Sequence, residues 1–261
     1  MGWSPLASQF CFELAFGVLF ALAFVPRAPV GLLFYRVMGG AALVPLLAAI
    51  LGPPLAEAGS WVSGPSVAAL LASLAFVVYG GPFRGVRWAL GLAVGLLATV
   101  VGVGLLLWGQ MDGLGAFLLA LLTSLATGAV AGSVGLAMVL GHWYLTVDKL
   151  DVAHLRRLNK VTILSMVTSL ALVGLSCALQ RSQMNPEAPE LFGMTGLFYV
   201  GSRTVVGLLM PLLFAAMTAG CLGEKNPNTR SATGILYAST VLVLIGAAAS
   251  ISLQDAFGVP M

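Results

Sequence analysis

Between Asp112 and Asp148 the chain carries no aspartate, glutamate, lysine or arginine. A run of that length would expose apolar side chains to water in a soluble fold. In a bilayer it is natural, because a hydrocarbon core about 30 Å thick takes about twenty apolar residues per crossing. Other stretches repeat the pattern. Hydrophobic residues make up 59% of the 261 and charged residues 8%, against roughly 25% charged in soluble domains. Too few charges exist to cover a water-facing surface.

The sequence therefore predicts an all-α integral membrane protein, a single transmembrane domain over 1–261 that forms a polytopic bundle of about eight helices in contact with the lipid bilayer. The expected spans are roughly 6–25, 30–51, 62–79, 87–108, 114–145, 160–179, 194–222 and 231–252. A transmembrane barrel would alternate polarity over segments of about ten residues, and no segment does. Between the spans lie breakers such as GPP at 52–54, GGPFRG at 80–85 and NPEAP at 185–189. Asn228, Thr229 and Ser231 are candidate caps for the last helix.

Charge placement sets an orientation. Arg27, Arg84, Arg87, Lys149, Arg156, Arg157, Lys160, Lys225 and Arg230 fall on one face, and only Arg181 falls on the other. Basic loops stay cytoplasmic, so both termini are expected on the non-cytoplasmic side, in a bacterial inner membrane. The first span does not read as a cleavable signal peptide, because no basic residue precedes it and Glu13 interrupts it.

Small residues recur at intervals of four in Gly91, Gly95, Thr99 and again in Ser124, Gly128, Gly132. That spacing lines one helix face and lets a neighbouring backbone approach closely. Cys11, Cys177 and Cys221 lie far apart with no ligand spacing, so no metal site is expected. His142 and His154 are twelve apart, about 18 Å along a continuous helix, which argues against a bis-histidine haem. No phosphate loop, dinucleotide fingerprint or zinc-protease motif is present, and the dispersed basic residues do not make a nucleic-acid surface.

Chemistry then rests on polar groups at membrane depth, where an ionisable side chain costs about 3 kcal/mol or more unless partnered. Glu13 and Arg203 enter the first and seventh spans from the same side to similar depth, so they are candidates for an intramembrane polar pair. Arg36, Tyr35, His142 and Tyr144 share a depth near the basic face. They are candidates for a quinone and proton site if the second and fifth helices are neighbours. A quinone needs an apolar cleft open to lipid, donors for its two carbonyls, and a proton route.

Short loops leave room for partners but not for a redox domain. The expected function is thus an integral membrane subunit of a respiratory electron-transfer complex. It would anchor iron–sulfur, cytochrome or dehydrogenase subunits and shape a quinone pocket. The alternatives are a small-solute or ion transporter, for which Pro45 and Pro211 mark helices that break within the membrane, and a purely structural anchor.

Overall fold

The computed structural model describes residues 3–25, 30–51, 67, 70–71, 86–108, 110–111, 113–147, 150–182, 191, 193–223, 226–259 and 261. The span expected over 62–79 lies outside them almost entirely, as do Arg27, Arg84, Lys149 and Lys225 of the basic face. The described elements are helical: α1 Trp3–Leu22, α2 Leu32–Ile50, α3 Val86–Trp108, α4 Leu114–Thr146, α5 Ala153–Ser182, α6 Met194–Cys221 and α7 Thr229–Phe257.

Six of these, α2 to α7, are long and apolar enough to cross a membrane, while the apolar stretch of α1, Leu6–Leu22, is shorter. Apolar side chains such as Val44, Leu90, Leu164 and Val241 point outward from the bundle, as lipid-facing positions should. The chain is a helical membrane bundle. The sixth predicted span starts earlier than expected: α5 begins at Ala153, so the basic Arg156, Arg157 and Lys160 lie on its first turns. At α7 the Asn228 side chain accepts from the Ser231 backbone N–H at 3.0 Å, and Gly258, at φ 65°, supplies the left-handed stop.

The long α4 is the axis of the fold, packed by α1, α5 and α7, with α3 alongside. Its Gly128 and Gly132 face α1. A Cβ on Gly128 would stand 2.2 Å from the Glu13 carbonyl oxygen, and one on Gly132 would stand 1.9 Å from the Gly17 carbonyl carbon. Backbone lies directly on backbone there. In lipid, where apolar burial drives little association, such close packing is what holds helices together.

Neither proline breaks its helix. α2 runs through Pro45. In α6 the turn before Pro211 widens into a π-helix over Ser202–Leu209, and Met210 donates to the Val205 carbonyl. Proline cannot donate to the carbonyl four residues back and its ring crowds that group, so the extra width just before Pro211 has a local cause. Gly207 in this segment meets Gly246 of α7 so closely that a Cβ on either would lie within 2.5 Å of the other's Cα.

Candidate functional site

Arg203 is carried inward by the π-helix and is fully buried, at 0% exposure. Short π segments interrupt α-helices at functional positions more often than elsewhere. One Arg203 nitrogen, Nη2, donates to Thr127 Oγ1 of α4 and to Ser169 Oγ of α5, both at 2.7 Å. Its Nε and Nη1 have no hydrogen-bond partner among the described residues. A guanidinium carries five N–H groups, so three have no acceptor among the described residues.

Glu13 of α1 is 3% exposed. Its Oε1 accepts from Gln9 Nε2 at 2.9 Å, while Oε2 has no partner among the described residues. No hydrogen bond between these residues joins Glu13 to Arg203, although they stand close enough for their charges to interact. Between them lies one face of α4, where Ser124 accepts from Gln9 at 3.1 Å and Thr127 accepts from Arg203. The expected pair is thus arranged as two buried, incompletely partnered ionisable groups separated by hydroxyls.

From Gln9 the polar groups continue. Gln9 and Gln254 of α7 exchange amide hydrogen bonds at 3.0 and 3.3 Å, and Gln254 Nε2 reaches Gln110 Oε1 at 3.5 Å. Gln110 follows the C-terminal end of α3 and is half-buried. Six elements or their flanks therefore converge on one file: Gln110, Gln254, Gln9, Glu13 with Ser124, Thr127, Arg203 and Ser169.

A cleft of about 550 Å³ opens between the first half of α4 and the last half of α5. Leu118, Leu119 and Leu122 line one wall, Leu172, Leu175 and Leu179 another. The Ser176 hydroxyl is buried in this lining with no hydrogen-bond partner among the described residues. Ser169, which holds Arg203, precedes Ser176 by two turns on the same helix, about 10 Å nearer the middle of the bundle. The two helices that wall the cleft are the two that anchor the guanidinium.

The other expected group is dispersed. Tyr35 is buried and donates to the Val25 carbonyl at 2.9 Å. Arg36 lies on the outside of the bundle, as does His142, whose Nδ1 is 3.4 Å from the Tyr237 hydroxyl of α7. Tyr144 donates to the Asp151 carbonyl in the loop beyond α4. What joins the second and fifth predicted spans is Trp143: its ring stands edge-on to Phe34 at 5.6 Å and its N–H donates to the Val30 carbonyl at 3.1 Å. Shared depth did not bring these side chains onto facing surfaces.

Sequence reasoning passed over Gln9, Gln110, Gln254, Thr127 and Ser169, which are neutral and so do not stand out from an apolar background. One signal was available: Gln9 sits four residues before Glu13, a spacing at which helical side chains meet. Among the described residues no three histidine, cysteine, aspartate or glutamate side chains gather as a metal site. Neither protein-family models, curated proteins nor solved structures offer a match to this chain.

Proposed function

We propose that the chain is the quinone-reactive membrane subunit of an electron-transfer complex, and that the quinone enters the α4–α5 cleft with its head directed to Arg203. The observation that carries this reading is the common origin of cleft and guanidinium. A long apolar tail fits the leucine walls, the Ser176 hydroxyl is a donor within the cleft, and Nε and Nη1 of Arg203, which does not line it, are further donors with no partner among the described residues. Donors fixed in a water-excluding site stabilise negative charge as it develops on a carbonyl oxygen far better than water does. Glu13, on the other side of Thr127, is the group able to give or take the accompanying proton.

In this reading redox partners bind at the membrane faces and supply or receive electrons. About eight crossings belong to this reading, with the short span read from the sequence at 62–79 among them. The basic loops face the cytoplasm of a bacterial inner membrane, and both termini lie on the far side.

The test is gentle extraction from native membranes, followed by mass spectrometry and solvent extraction of bound quinone. Stoichiometric iron–sulfur, cytochrome or dehydrogenase subunits and retained quinone are expected. In that complex Arg203→Lys lowers quinone turnover without loss of assembly, whereas His142→Ala leaves turnover unchanged. A chain recovered alone, or only with copies of itself, refutes the proposal. Solute transport is then the next reading, favoured by the π segment in α6 that holds a buried cation. It requires solute flux in liposomes that contain this chain alone.

A further inference from the structure

We propose that Glu13 is a proton-exchange site reached from the face that bears Gln110. The carboxyl group is buried yet has one oxygen without a partner among the described residues. Polar side chains lead away from it in two directions. Towards Arg203 they reach the buried cation, which Ser169 of α5 holds from its other side. Towards Gln110 they end at a half-exposed amide beside the end of α3.

Along α1 in the opposite direction the way is closed by backbone. Gly17 lies so tightly on α4 that a Cβ there would sit 1.7 Å from the Gly128 carbonyl oxygen, and Gly132 closes on Gly17 in the same way. Phe16, Phe20 and Phe24 follow, their rings in contact at 5.9 and 5.2 Å. No polar side chain of α1 follows Glu13 in that direction. The sidedness comes from this contrast between amides on one side and glycine-on-glycine contact with phenylalanines on the other.

Among the described residues the groups facing Glu13 are few. From α4 comes Ser124, from α6 the Arg203 cation, from α7 Gln254 through Gln9, and from the end of α3 Gln110. On α2 the titratable Tyr35 and Arg36 lie at the end near Val25, past the closed stretch. Amides do not ionise, but each offers two donors and an acceptor to a hydronium passing along them. The step is the loss of the Glu13 O–H proton to water at the Gln110 rim, which leaves a carboxylate balanced by Arg203, and its reverse. The long 3.5 Å link between Gln254 and Gln110 is the narrowest place in the file. None of this depends on a quinone; if the cleft does hold one, Glu13 is where its protons leave or enter.

The full chain, reconstituted in vesicles and sorted by orientation, is exposed to dicyclohexylcarbodiimide, an apolar reagent that modifies protonated carboxyls in membranes. Modification of Glu13 is followed by mass spectrometry while the pH on each side is varied separately. The expected result is a rate that falls about tenfold per pH unit on the Gln110 side once past the transition, with little response to the other side. Gln254→Leu and the milder Gln110→Leu slow the response to a pH jump, and Glu13→Gln removes the label. Labelling that follows the opposite side, responds to neither, or keeps its kinetics in both glutamine variants overturns the proposal. Absence of bound quinone in the native complex would leave this result untouched and refute only the quinone reading.

Discussion

Gly128→Ala is the sharpest test of how this bundle is held together. The added methyl carbon would lie 2.2 Å from the Glu13 carbonyl oxygen and 2.9 and 3.1 Å from its carbonyl carbon and Cα. Ordinary contact begins near 3.4 Å, so α1 and α4 must separate by about 1.2 Å. The obstacle is backbone and has no rotamer to change. Overpacking of a well-packed interior costs about 1–3 kcal/mol, and a rigid clash belongs at the upper end.

Gly135→Ala on the same helix is the matched control, because a Cβ there meets nothing within 4 Å among the described residues. Its helix propensity improves by as much as about 1 kcal/mol. Reversible unfolding of both variants in mixed micelles, titrated with sodium dodecyl sulfate and followed by circular dichroism, should separate them by about 3 kcal/mol or more. Separation of the helices also shifts Glu13, so labelling at that residue changes only in Gly128→Ala. Equal stability of the two variants would refute backbone contact as the basis of the α1–α4 interface.

Three further outcomes follow from named contacts. Arg203→Met removes the bonds to Thr127 and Ser169 and the cation that faces Glu13, and should cost at least about 1.5 kcal/mol; with Glu13→Gln added the total loss should be smaller than the sum of the two single losses, whereas simple additivity in the same unfolding titration would show that the two residues do not interact. Trp143→Phe keeps a ring beside Phe34 but removes the bond to the Val30 carbonyl, so a loss of about 1 kcal/mol is expected, and no change would mean that this bond contributes nothing. Asn228→Ala removes the acceptor for the Ser231 N–H and should cost about 1 kcal/mol, read as earlier exchange of amide hydrogens in the first turn of α7.

What could be read from the sequence was whatever the bilayer imposes one helix at a time. Lipid cannot satisfy backbone groups, so apolar runs become helices, and α2, α4 and α6 start within two residues of the predicted spans at 30, 114 and 194. Intervals of four placed Ser124, Gly128 and Gly132 on one face, because a helix turns every 3.6 residues. Glu13 and Arg203 stood out because an ionisable group is rare at membrane depth. Which faces meet was left to the tertiary structure. Depth along a helix follows from counting residues, but rotation about its axis is set by packing against neighbours. Tyr35, Arg36, His142 and Tyr144 read as sharing a depth, yet three of them bond to different partners and Arg36 lies on the outside of the bundle. Gln9 and Gln254, 245 residues apart, bond to each other only because α1 and α7 both pack on α4. The widened turn before Pro211 likewise turns Arg203 towards Thr127 and Ser169, a direction no residue count contains.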